Sequence, residues 1–197
     1  MKVIIYTHPY QESFNHAILE QMEKIYAEQG QDYQVIDLYK DNFQPVLTAE
    51  QLKIYSSGKT SDPLVKHYQE LIKQADELTF VYPIWWHNYP AMLKGFFDRV
   101  MLHGFAYESN DEIPWQGLLT YINKCTVITT STITKQYLEE ECGNPIQNTF
   151  INRTLADVGI SPEKSNWIHY GKVDLTPREE HDKFLDNLSN LYKNGQK

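Results

Sequence analysis

The chain opens on a short β-branched run, Lys2-Val-Ile-Ile-Tyr6, that lacks any polar alternation. That is the pattern of a strand buried on both faces. Four further runs predict strands: Tyr33 to Leu38, Glu77 to Tyr82, Cys125 to Thr130 and Lys164 to Tyr170. Between them the apolar spacing changes to that of helices. Phe14, Ala17, Ile18, Met22, Ile25 and Tyr26 recur at helical intervals up to Gly30, and Ser13 stands where an N-cap is needed. Pro63 opens a helix to about Ala75, and Pro90 starts another with Met92, Leu93, Phe96, Phe97 and Val100 on one side. Further helical segments are expected near Tyr137 and from Asn148 to Val158. Pro177, in a first-turn position, begins a terminal helix that ends before Gly195. Residues 40–60 read as irregular, with one helical turn around Ala49 to Tyr55, and residues 104–120 as a polar loop.

Strands that alternate with helices argue for a parallel sheet covered on both faces. Five strands in 197 residues fit an α/β three-layer sandwich of flavodoxin-like type, with strand order 2-1-3-4-5. The ligand crevice of that topology lies at the carboxyl ends of strands 1, 3 and 4. No internal repeat or linker interrupts the chain, so residues 1–197 are expected to form one domain.

Composition narrows the function. With 18 Lys plus Arg against 26 Asp plus Glu, the net charge is −8, and no basic cluster suggests a nucleic-acid partner. No signal-peptide pattern and no long apolar run is found, so the protein is expected to be soluble and cytoplasmic. The seven histidines form no HxH or HExxH and no close pair with Cys125 or Cys142, so no metal site is expected. A Gly-x-Ser-x-Gly elbow is missing. The loop after strand 1 has no glycine, which excludes GxGxxG and Walker phosphate loops there. Thr7, Ser13 and Asn15 nevertheless flank a helix start, where free N–H groups and the positive dipole end favour an anion. Capping by Ser13 accounts for these residues equally well.

The unusual segment is Tyr82-Pro-Ile-Trp-Trp-His-Asn-Tyr-Pro90. It puts Trp85 and Trp86 in a loop directly after strand 3. Large aromatics there suit the edge of a planar ligand, or an interface or core plug. The proposed topology turns this loop toward the crevice and so favours a ligand.

These residues carry a family resemblance. His8-Pro-Tyr-Gln-Glu-Ser-Phe-Asn15 before a helix resembles the first loop of the flavodoxin-like NAD(P)H:quinone oxidoreductases. Tyr82 to Val100, with Gly104-Phe-Ala-Tyr107 after it, resembles their central signature. Thr129-Thr130 and Gly159-Ile160 resemble two further motifs, and the match runs from residue 2 to about residue 170. The resemblance implies that His8, Ser13, Phe14 and Asn15 wrap a flavin phosphate. It sets Pro83, Ile84, Trp85, Trp86 and His87 along the isoalloxazine edge, and Thr129 and Thr130 near the pyrimidine end. Tyr137 matches a tyrosine that supports charge on the reduced ring. Two positions depart from the pattern: Ser131-Thr132 replace a frequent Gly-Gly, and Gly143 stands where some members use a histidine.

The implied activity is hydride transfer from NADH or NADPH to FMN or FAD, then two-electron reduction of a quinone or similar flat acceptor. FMN is preferred over FAD because the chain has no long C-terminal extension. Trp85, Trp86 and Tyr137 would form an apolar slot for that acceptor. A homodimer is implied too, with the helix after Pro90 and Phe105-Ala-Tyr107 as contributors. A different expectation is a flavin-binding regulatory subunit on a membrane transporter, such as a potassium efflux system. A third is a one-electron flavodoxin carrier.

Overall fold

The computed structural model describes residues 1–112 and 114–194; Gly195, the residue expected to lie past the end of the terminal helix, falls outside them. A five-stranded sheet is built from β1 (Lys2–Tyr6), β2 (Tyr33–Asp37), β3 (Glu77–Pro83), β4 (Lys124–Thr130) and β5 (Ser165–Tyr170). Every neighbouring pair is parallel, and the spatial order is β2-β1-β3-β4-β5. This is the order expected from the strand and helix pattern.

The pleat divides the strands between two apolar clusters. Val3 and Ile5 of β1 belong to one, with Leu78, Phe80 and Tyr82 of β3 and Val127 of β4. Ile4 and Tyr6 belong to the other, with Val81 and Ile128. Successive side chains point to opposite faces of a strand, so a sheet lined on both sides needs unbroken apolar runs. α1 (Phe14–Glu28) covers the second face with Ile18, Leu19, Met22, Ile25 and Tyr26, spaced as one helical stripe. Leu188 and Tyr192 of α6 (Arg178–Asn194) join it.

The first face is covered by α3 (Pro63–Gln74) and α4 (Ala91–Val100), with α2 (Ala49–Ile54) on the excursion before them. Leu93, Phe96, Phe97 and Val100 are all buried there. The apolar side of α4, expected to serve a homodimer, is therefore engaged within its own domain. Gly95 of α4 lies against Pro45, and a Cβ at this position would collide with that residue's backbone. Glycine costs about 1 kcal/mol in a helix interior, and here it permits the close approach. One turn further on, the buried Arg99 guanidinium donates to Gln44 O and pairs with Asp62 at 2.6 Å. The irregular segment after β2 is thus fastened to α4 at both points.

Two segments differ from the sequence expectation. The polar loop 104–120 contains a short antiparallel ribbon, Tyr107–Glu108 with Gln116–Gly117. It is held by Tyr107 stacked on Trp115 at 4.1 Å and by Trp115 Nε1 donating to Asp157 O at 2.8 Å. The stretch expected as a helix from Asn148 to Val158 is a π-helix over Ile146–Leu155. Asn148 Nδ2 and Thr154 Oγ1 donate to carbonyls five residues back, which suits the wider winding. Among the described residues, no helix is long and apolar enough to cross a membrane.

Candidate active site

The carboxyl ends of β1, β3 and β4 surround an open cleft of about 320 Å³. Its first wall is the β1–α1 loop, contributing His8, Tyr10, Ser13, Phe14 and Asn15. Ser13 is extended and its Oγ accepts from His16 N at 3.1 Å, so it caps α1. Ahead of the capped His16 N, the Phe14 and Asn15 N–H groups lie before the first intrahelical hydrogen bonds, at the positive end of a 15-residue helix. His8 Nδ1 lies 3.1 Å from Tyr10 N and 3.2 Å from Tyr10 O, which ties the ring to the backbone of its own loop. Burial lowers the His8 pKa, its largest cause. An anion in this corner would meet neutral donors and a helix end, with no lysine or arginine among the described residues of the cleft wall.

Asn15 is 4% exposed and donates through Nδ2 to Thr130 Oγ1 at 2.8 Å. Its Oδ1 is buried and has no partner. A buried amide oxygen left unpaired costs about 1–3 kcal/mol, so a ligand hydroxyl or N–H has a ready position here.

The second wall follows β3. Ile84 N donates to Thr130 O at 2.8 Å, which extends the β3–β4 pairing by one residue. Pro83, Ile84 and Trp85 line the cleft. A two-residue hairpin follows, in which Trp85 and Asn88 exchange backbone hydrogen bonds at 2.9 and 3.1 Å. Its central residues Trp86 and His87 have φ of 50° and 61°, the left-handed pattern of a type I′ turn. Neither is glycine or asparagine, so the turn stores backbone strain beside the cleft. Trp86 is 96% exposed and Trp85 44%.

The third wall is the loop after β4, with Thr130, Ser131 and Thr132, joined by Val173 and Asp174 from beyond β5. Val173 N donates to Ser131 O at 3.0 Å, which draws the later loop across. A second groove shares Ser13, Phe14, Val173 and Asp174 and adds Arg178 and His181.

Eight of the residues singled out in the sequence are therefore brought together: His8, Ser13, Phe14, Asn15, Pro83, Ile84, Trp85 and Thr130. Phe14 is partly turned away, since its ring stacks on His181 at 4.3 Å. Four others lie off the cleft wall. Trp86 and His87 point into solvent from the turn. Tyr137, in α5 (Lys135–Glu140), is half exposed. Thr129 is fully buried because the pleat turns it away from Thr130; its hydroxyl accepts from Trp167 Nε1 at 2.8 Å and meets His169 Nδ1 at 2.8 Å. Tyr10, inside the first-loop motif, and Ser131 and Thr132, marked in the sequence as departures from Gly-Gly, also line the cleft without having been assigned a role, and Val173 and Asp174 were not singled out at all. Neither periodicity nor motif marks Val173 and Asp174, and only the placement of β5 beside β4 brings them in.

A doubly covered parallel sheet in this order, with a helix start and an aromatic edge at its carboxyl ends, defines a flavodoxin-like fold with a candidate ligand cleft. Residues 1–189 match the family described by its flavodoxin-like fold, and the chain belongs to that family. A Haemophilus influenzae protein described as an uncharacterized NAD(P)H oxidoreductase is 35% identical over 176 residues, covering 88% of this chain and 84% of its own. The solved NAD(P)H:quinone oxidoreductase of Methanothermobacter marburgensis is 30% identical, with a TM-score of 0.79 over 99% of this chain and 96% of its own. An FMN-dependent NADH-azoreductase of Bacillus anthracis, solved with FMN, has the same fold at 16% identity, with a TM-score of 0.75 over 100% of this chain and 99% of its own.

Proposed function

We propose that this protein is a flavin-dependent NAD(P)H oxidoreductase that reduces a quinone-like acceptor by two electrons, with FMN as its cofactor. The observation that carries the reading is the cleft itself. It joins a capped helix start, a buried unpartnered amide oxygen and an aromatic edge at the carboxyl ends of β1, β3 and β4. Relatives described as NAD(P)H oxidoreductases and quinone dehydrogenases, and the azoreductase solved with FMN, supply the chemistry that such a cleft would house.

The residues fit the cofactor. The Phe14 and Asn15 N–H groups at the start of α1 would hold its phosphate, as helix N-termini do, with Ser13 capping His16 N beside them. Asn15 Oδ1 would receive a ribityl hydroxyl, while Asn15 Nδ2 keeps Thr130 oriented. Backbone groups of Pro83 to Trp85 would follow the edge of the ring system, and Thr130 to Thr132 its pyrimidine end. Trp85 lies beside His8, their ring centroids 6.1 Å apart, and would border the ring edge on that side. Bound there, FMN supplies the hydride acceptor and the two-electron donor, which is why the site needs no protein nucleophile. Tyr137 and the turn residues Trp86 and His87 would border the acceptor from outside the cleft. We take the homodimer and the cytoplasmic setting implied by the resemblance as parts of the same reading.

The test is steady-state oxidation of NADH and of NADPH by purified protein with menadione, with and without added FMN. Flavin-dependent turnover by the protein alone is expected. Stoichiometric flavin binding without NAD(P)H oxidation would instead assign a carrier or sensor.

A further inference from the structure

Behind the third wall of the cleft, outside every motif quoted above, His169 of β5 ties two strands and a loop together. Its Nδ1 lies 2.8 Å from Thr129 Oγ1 on β4. Its Nε2 lies 3.1 Å from Ser131 Oγ and 3.2 Å from Ile133 O, in the loop that follows β4. A carbonyl only accepts, so Nε2 bears the proton and Nδ1 is the acceptor. The direction of the chain is then fixed. Trp167 Nε1 donates to Thr129 Oγ1, Thr129 donates to His169 Nδ1, and His169 Nε2 donates toward Ser131 and Ile133.

Ser131 is the node where this chain meets the cleft. Its Oγ donates to Ile133 O at 2.8 Å and accepts from Ile133 N at 3.2 Å, closing a tight side-chain turn. Its N–H donates to Tyr170 O at 3.1 Å, and its carbonyl accepts from Val173 N at 3.0 Å. Ser131, Thr132 and Val173 all line the cleft. A Gly-Gly pair at 131–132 would offer the same backbone without a side chain to hold it, and a loop of that kind pays ordering entropy when a ligand binds. Here the serine hydroxyl gives His169 something to grip.

We propose that His169 is a positioning residue for the cleft: through its Nε2 half it holds the Ser131–Ile133 loop in the shape that receives the pyrimidine end of a bound flavin. This rests on the flavin reading of the cleft given above. The Thr129 half of the ring anchors the histidine to the sheet, and the Nε2 half does the positioning. His169 touches no reacting atom, and its role is to keep a wall ordered before the ligand arrives.

Two substitutions separate the halves. In His169→Gln the side-chain amide nitrogen stands where Nε2 stood and can still donate to Ser131 and Ile133. In His169→Asn the amide oxygen stands where Nδ1 stood, which keeps Thr129 and abandons the loop. FMN affinity is measured by quenching of its fluorescence, and amide exchange at residues 131–133 is followed in the flavin-free protein. His169→Asn is expected to bind FMN about fivefold more weakly, the equivalent of one lost hydrogen bond, with faster exchange at Ser131 to Ile133. His169→Gln is expected to stay within about twofold of the unsubstituted protein and to keep slow exchange. Equal effects of the two substitutions, or a larger loss in His169→Gln, would overturn the proposal. Should the unsubstituted protein bind no FMN, the flavin reading fails while the exchange pattern still decides whether His169 holds the loop.

Discussion

The hairpin that carries Trp86 and His87 offers a measurement of strain with little else changing. Both residues have positive φ, a conformation that costs a residue with a Cβ about 1–2 kcal/mol. Trp86 is 96% exposed and His87 is exposed as well, so replacing them forfeits little buried area. Asn-Gly is the dipeptide preferred at the two central positions of a type I′ turn. The double substitution Trp86→Asn/His87→Gly should relieve about 2 kcal/mol of strain. Glycine's larger freedom in the unfolded chain takes back about 0.5–1 kcal/mol. The net gain is about 1–1.5 kcal/mol, which raises Tm by about 3–5 °C in a chain of this size. Differential scanning calorimetry and urea unfolding both read it. Trp86→Ala is the control: alanine is no better suited to positive φ, so its Tm should stay within about 1 °C of the parent. A double variant with unchanged or lowered Tm would refute the claim that this turn is strained. An equal gain in Trp86→Ala would move the cause from the backbone to the exposed indole.

Further outcomes follow from the buried polar groups. Burial pulls the His169 pKa down to about 4. Between that value and the ordinary 6.5 the unfolded chain binds a proton that the folded protein does not. Stability is therefore full above about pH 6.5 and falls as pH drops toward 4, by up to about 3 kcal/mol. His169→Gln should flatten this part of the urea-unfolding profile. Asn15→Ala removes the donor to Thr130 and the unpaired Oδ1 together, so flavin-free stability should change by less than about 1 kcal/mol while FMN binding weakens roughly tenfold, read by calorimetry and fluorescence quenching. Glu77 is 3% exposed and accepts from Tyr192 OH at 2.7 and 2.8 Å, with Lys2 at 3.3 Å and Lys124 at 3.7 Å. Glu77→Ala leaves both cations without this carboxylate and should cost about 3–5 kcal/mol in urea unfolding. Glu77 joins β3 to the end of α6, so exchange should accelerate first near Tyr192.

The strands and the long helices could be read from the sequence because burial on both faces imposes a pattern that few other arrangements share. Val3 to Tyr6 feed two cores at once, and only unbroken apolar runs do that. Ser13 could be read because an N-cap is a local device. The β1–α1 loop and the Pro83–Trp85 edge were legible for the same reason, lying next to a strand end and a helix start. What stayed hidden depends on contacts between distant segments. Thr129 and Thr130 are neighbours in sequence, yet the pleat sends one to Trp167 and His169 and the other to Asn15. Trp86 looked like a cleft residue by composition, and the turn's handedness carries it into solvent. Val173 and Asp174 reach the cleft through a hydrogen bond to Ser131, which the order of the strands permits and no local signal announces. The ribbon at Tyr107 depends on Trp115 finding Asp157, a partner 42 residues away.

The flavin cycle itself is the most direct test of the central claim. Purified protein loaded with FMN is placed under anaerobic conditions, and its absorbance is followed as one equivalent of NADPH and then one of menadione is added. Bleaching of the flavin bands by NADPH and their full return with menadione is the result expected of a two-electron quinone reductase. Bands that NADPH leaves unbleached, with NADH failing likewise, or protein that retains no FMN, would contradict it.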